Sequence, residues 1–424
     1  MIGTTKLRVS RANVSRAVGG WLAKGLKKAE TTATLTKDID ELAKQVILPA
    51  LPVSDEEMSR AMHQDRGQKL ARQEAWGELS QKIRQADRKR TCTVGGETAA
   101  LLMAYGARSD IVSSVEDALY DGVEPSPQGW LELEEALKEH PKDYPTALVV
   151  ALAHIDMAWA WRNIMSEHAP ERALQNCQGH LKRANRILSK YDAFDLNAPS
   201  IGSAKCALYA AKNTNPGQLQ REYETLIEID PFGLRHMRAL GRQILPDAAG
   251  GVAALEVVAR RIAMQTEGAW GAGGYTWVYL DALALEPRAL NLIEAEFFIE
   301  GIRDILERRD DQHIINLFAA FCAITMAPNE RNADLAPHAQ DARDHIHGFL
   351  DTILRNHLQE LHPLIWSQAL LAPGETVRLP SRKALIAKGR QTAMRIIASR
   401  FAKQIAKGGA ITFSTSGITQ ASVI

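Results

Sequence analysis

Residues 221–245 read REYETLIEIDPFGLRHMRALGRQIL, a stretch whose pattern extends over most of the chain. Tyr223, Leu226 and Ile227, preceded by Leu219, recur at the three- and four-residue spacing of one helix face. Pro231 ends that helix, because its ring removes an N–H and clashes with the preceding turn. A second stripe follows at Leu240 and Ile244, with Gly241 small enough for another helix to approach closely. Similar stripes lie on either side, at Leu148, Leu152, Ile155 and Trp159 and at Leu290, Ile293, Phe297 and Ile305, with hardly any period-two alternation between them. Strands are therefore not expected. One-sided helices must cover one another's apolar stripes, and successive pairs joined by short turns do so. The expected fold is all-α, an α-α superhelix or solenoid of antiparallel helix pairs with basic helical ends.

When Pro231 is set at the proline that closes a repeat, Tyr223 falls at the aromatic position before it, and Leu240-Gly241 and Ile244 fall at the Leu-Gly and large positions of the next repeat. The stretch resembles a junction between two tetratricopeptide repeats. A weaker copy runs from Leu133 through Leu137 and Pro141 to Ala151. Met237 stands where an aromatic is usual and Leu226 where a small residue is usual. Pro141, Pro231 and Pro287 are not spaced by multiples of the ~34-residue repeat. The resemblance, over residues 126–330, is thus to a degenerate array, and it implies a groove for a protein partner rather than a chemistry.

At 424 residues, 46% hydrophobic and 24% charged, the chain has the composition of a folded protein with a sizeable core. Cys92, Cys177, Cys206 and Cys322 form no C-x-x-C pair, which suits a reducing compartment. Residues 147–161 and 314–327 are apolar, but both are shorter than the ~20 residues of a membrane span and read as buried helices. No secretory signal is evident. The expected location is cytoplasmic, with a peripheral membrane or, in a eukaryote, mitochondrial location as the alternative.

The net charge of +1 conceals a segregation. Residues 1–29 hold seven Lys/Arg and residues 376–424 hold nine, neither with an acid; the 51 − 16 = 35 remaining bases face 50 acids, a net of −15 over residues 30–375. Four regions follow: a basic amphipathic arm and linker (1–54), a charged helical region (55–125), an acidic helical-repeat body (126–375), and a basic terminal helix with a flexible Ser/Thr/Gly tail (376–424). Basic ends attract phosphate backbones, anionic lipids or acidic protein surfaces. Arg16, Lys24 and Lys27 at one end, and Lys388 and Arg395 at the other, are the expected contacts.

The densest local signal is EGAWGAGGYTWVYLDAL, residues 267–283, where Trp270, Tyr275, Trp277 and Tyr279 crowd around Gly271, Gly273 and Gly274. Aromatics on a permissive backbone suit a recognition site, or a tight corner in which they plug the core. Trp161 and Arg162 form a second cluster able to stack or to hold an anion. His154 and Asp156 point to opposite sides of one helix, and the histidines at 338, 345, 347, 357 and 362 complete no zinc or di-iron pattern. No cofactor, metal or catalytic residue is expected. The expected function is a non-enzymatic interaction scaffold for a protein or peptide, with self-association open to it. The alternatives are an enzyme or small-molecule-binding protein with a pocket between helices, near His154, Arg162 and Tyr275, and a membrane or nucleic-acid scaffold acting through the basic ends.

Overall fold

A computed structural model describes residues 39–212, 215–328, 335–371, 380–407, 409–415 and 417–422. The model is 75% helical. In chain order its elements begin with α1 (Ile39–Gln45), β1 (Val46–Ile47), α2 (Asp55–Arg72), α3 (Trp76–Lys89), α4 (Ala99–Tyr120), α5 (Gln128–Glu139) and α6 (Tyr144–Met165). Then come α7 (Pro170–Leu188), α8 (Pro199–Lys212), α9 (Pro216–Ile229), α10 (Leu234–Ile244), α11 (Gly251–Gln265), α12 (Glu267–Trp270) and α13 (Gly273–Leu285). The chain continues with α14 (Ala295–Arg308), α15 (Gln312–Ala320), α16 (Pro337–Gly348), α17 (Leu350–Asn356), α18 (Pro363–Ala369), α19 (Arg382–Arg400), α20 (Ala402–Ala406), β2 (Gly409–Ser414) and β3 (Gly417–Ser422). No described helix is long and apolar enough to cross a membrane.

The described residues form two compact units, Asp55–Gly251 and a second that joins residues 39–54 to Val252–Ile424. The division falls inside the stretch read as one acidic body, at Gly250 and Gly251, whose φ of 108° and 63° end one path of the chain and start another.

In the first unit, α6 is apolar on every side and almost every side chain from Tyr144 to Ala158 is buried. Its start is written locally. Asp143 accepts a hydrogen bond from the Thr146 N–H at 2.9 Å, and Pro145 occupies the first turn, where no N–H is needed. Prolines likewise open α7, α8 and α9. The helix pair read from residues 221–245 is present as α9 and α10, with Pro231 in the turn between them. The charged stretch 55–90 is a helical hairpin, α2 and α3, whose turn holds Glu74 at φ 54°. The rest of that charged helical region is one long helix, α4.

The tightest approach in the first unit is between α2 and α4. A Cβ on Gly106 would lie 1.8 Å from the Gln64 carbonyl oxygen, and one on Gly67 2.0 Å from that of Met103. Backbone therefore rests on backbone, a contact open only to glycine.

In the second unit the largest fully buried side chains include Trp277, Phe298, Phe318 and Trp366. Asn316 on α15 is its polar centre. The amide Nδ2 donates to the carbonyls of Gln312 (2.8 Å) and Glu360 (2.9 Å), while Oδ1 accepts from His362 N (3.0 Å) and Trp366 Nε1 (2.9 Å). All four hydrogen-bonding positions of the amide are filled.

The expectations of no strands and of a flexible tail are corrected here. β2 pairs antiparallel with β3 from Gly409↔Ser422 to Ser414↔Gly417, and parallel with β1 through Val46↔Ile411. The Ser/Thr/Gly content suggests a linker, yet the tail also supplies Ile411 and Phe413, both buried, with Phe413 edge-on to Phe401. β-branched and aromatic residues in alternation are a strand signal.

Gly106→Val is expected to cost the first unit about 3 kcal/mol or more through overpacking, whereas Gly77→Ala, where a Cβ meets nothing within 4 Å, changes stability by less than about 1 kcal/mol. Urea denaturation midpoints of the two variants measure the difference.

Candidate functional site

The aromatic corner is core. Trp270, Tyr275, Trp277 and Tyr279 are all buried. Trp270 meets Trp277 edge-to-face at 5.7 Å, and Trp277 lies 5.2 Å from Phe318. Both tyrosine hydroxyls donate to Glu256 Oε2 at 2.7 Å, and Arg260 holds the other oxygen of that carboxylate at 2.6 Å. Burial is the main cause raising both phenols above their ordinary range. The glycines let helices close on this cluster, since a Cβ on Gly274 would lie 3.1 Å from Ala263 Cα. A partner cannot reach these rings in the folded chain, so the expectation of exposed anchors is replaced by that of a packed corner.

Trp161 is also buried, and Arg162 donates to the Ala211 carbonyl at 2.9 Å with its guanidinium stacked on Trp159. Neither is poised for a ligand. Arg16, Lys24 and Lys27 lie outside the described residues. Lys388 and Arg395 sit half-buried on α19.

His154 and Asp156 part company as expected. Asp156 pairs with the buried Arg108 at 2.7 Å. His154 enters a chain of buried polar groups that no local pattern announces. Its Nε2 is 3.1 Å from Glu134 Oε1 and its Nδ1 3.0 Å from Nδ1 of His180, which Trp130 meets edge-on at 5.5 Å. An ionised carboxylate only accepts, so with Glu134 ionised this pattern has His154 Nε2 donating to Glu134 and His180 Nδ1 donating to His154. Burial pushes the His154 imidazole down to about 3 and that of His180 to about 4. Among the described residues, no group of three or more His, Cys, Asp or Glu could hold a metal ion. Of the C-terminal histidines, His347 lies between the Cys322 carbonyl (2.7 Å) and Arg400 (2.6 Å), and His362 packs 6.3 Å from His313.

The surface feature with recognition chemistry lies elsewhere in the first unit. Arg90 caps α3 in the left-handed conformation, at φ 50°. Its guanidinium donates to the carbonyls of Asp87, Asn197 (3.3 Å) and Ile229 (3.1 Å), drawing the α7–α8 loop and the end of α9 together. Beneath it the buried Asp87 carboxylate accepts from Ser200 Oγ (2.6 Å), Tyr144 Oη (3.1 Å) and Ser200 N (3.2 Å). Burial raises the Asp87 carboxyl, and the hydrogen bonds from Ser200 and Tyr144 oppose that rise.

Asp87, Arg90, Thr98, Pro199 and Asp230 line a notch of about 10 Å³. Asp230 is only 5% exposed, and its Oδ1 and the Thr98 hydroxyl have no hydrogen-bond partner. Large apolar side chains stand near in sequence: Leu196 and Phe194 precede Pro199 and are 39% and 58% exposed, and Phe232, two residues beyond Asp230, is 61% exposed. The sequence marks none of these residues, because Arg90, Asn197 and Asp230 meet only once the helices pack.

No family model, curated protein or solved structure matches this chain.

Both folded imidazole values lie below the unfolded value near 6.5, so in that window the unfolded chain binds more protons and stability falls as pH drops from about 6.5 toward 4. His154→Leu/His180→Leu removes both titrating groups. It is expected to flatten the pH dependence of the urea midpoint, and an unchanged slope would show that other groups carry it.

Proposed function

We propose that this chain is a non-enzymatic interaction scaffold that holds a protein or peptide segment against the notch between Asp87 and Asp230. The observation that carries the reading is the exposure of Phe194, Leu196 and Phe232 on chain segments that Arg90 ties together, near a buried carboxylate with one unpartnered oxygen. A cavity of about 10 Å³ takes one donor group, not a substrate. The segment that suits it carries a Lys or Arg head for Asp230 and apolar neighbours for the phenylalanines. Aromatic side chains that a partner can cover are the residue types that dominate binding hot spots. In this reading, the helices of the first unit stack as degenerate tetratricopeptide-like pairs, and the α7–α8 and α9–α10 loops form one end of the stack.

Panning a random peptide library on the wild-type chain should enrich peptides with a basic residue beside apolar ones. Phe194→Ser/Phe232→Ser should weaken them at least tenfold, about 1.4 kcal/mol, with far-ultraviolet circular dichroism unchanged. Asp230→Asn should act on the basic position alone. Equal affinity of the double variant for the same peptides would sink the reading.

A further inference from the structure

Helix α19 presents Lys388, Gln391 and Arg395 at positions i, i+3 and i+7, which the 3.6-residue turn places on one face. Long side chains on a helix lean toward its N-terminus, so Arg395 reaches back over Gln391 toward Lys388. Both cations are half-buried. Burial, and then the Arg395 charge, push the Lys388 ammonium below its ordinary range. Arg395 Nε is buried with no hydrogen-bond partner, and among the described residues neither side chain has a carboxylate at salt-bridge distance. Arg400, on the same helix, shows the contrast: it pairs with Asp351 at 3.4 Å and donates to His347.

Two like charges on one helix face, away from full solvation and with no counter-charge among the described residues, are costly, and an anion between them removes that cost. Lys388 and Gln391 border a shallow, open hollow on the same helix with Ala384, Ala387 and Arg390. The alanines leave room for a ligand, and Arg390 adds an exposed positive charge at the edge. No large apolar side chain is exposed on this helix to enter a bilayer, and among the described residues no aromatic lines the hollow to stack a base. Those two features favour a small anion over a membrane or a nucleic acid.

We propose that Lys388, Gln391 and Arg395 form a binding site for a phosphate-class anion, either free phosphate or the phosphate of a monoester, seated on this face of α19. Lys388 supplies a point charge, Arg395 a planar fork suited to two phosphate oxygens, and Gln391 a neutral N–H donor.

The test uses the full chain at constant ionic strength, with chloride exchanged for inorganic phosphate or glycerol phosphate. Because phosphate stabilises folded proteins in general, the informative readouts are local. Amine labelling of Lys388, followed by mass spectrometry, is expected to slow at least fivefold in either phosphate. The phosphate-dependent rise in Tm is expected to be lost in Lys388→Gln and Arg395→Gln and kept in Lys403→Gln, which removes the same charge from an exposed position on α20. A response to inorganic phosphate alone identifies free phosphate as the ligand, and a response to both admits the monoester. Labelling of Lys388 that ignores both phosphates overturns the site even if a variant fails to fold. Equal loss in Lys403→Gln would reduce it to diffuse electrostatics. A response only to phosphatidic acid vesicles or to an oligonucleotide would replace it with an extended polyanion surface.

Discussion

The first unit depends on burying α6. A helix that is apolar on all sides has no face to give to water, so other elements must cover it around its whole circumference. Each Leu, Ile or Val taken fully out of water contributes about 1.5–3 kcal/mol, and this helix carries a run of them from Leu148 to Ile155. The cap also links the helix to a neighbour: Asp143 accepts from Thr146 at the helix start and binds Arg84 of α3 at 2.5 Å. One carboxylate thus sets where α6 begins and where α3 lies against it.

Buried polar groups then give the packing its uniqueness. Asp87, Asn316 and the Glu134–His154–His180 chain each satisfy hydrogen bonds drawn from elements distant in sequence. A helix displaced by one turn would strand these groups, at about 1–3 kcal/mol for each unsatisfied partner. Asp230 and Arg395 are among the side chains that depart from this, because each keeps one buried polar atom without a partner. Both stand beside openings to the surface, one near exposed aromatic rings and the other on a basic helix.

The helices are legible in the sequence because their signals are local. The stripe at Leu219, Tyr223, Leu226 and Ile227, the break at Pro231 and the prolines at helix starts each act within a few residues. The aromatic corner at 267–283 is equally visible, but its meaning is not. Whether Trp277 faces solvent or Phe318 depends on a helix 35 to 43 residues away, and the contact at 5.2 Å answers it. The C-terminal hairpin is missed for a related reason: Ile411 and Phe413 need β1, over 360 residues earlier, before a Ser/Thr-rich tail gains anything by extending.

The sequence by itself determined an all-helical character for most of the chain, the breaks between its helices and the basic character of its C-terminal helix, all set by neighbours within one or two turns. Only tertiary structure decided which aromatics are core, that Arg90 gathers Asn197 and Ile229, and that Asp230 Oδ1 and Arg395 Nε are buried without a hydrogen-bond partner. Those outcomes depend on distances across the packed chain, and spacing along a sequence carries no record of them.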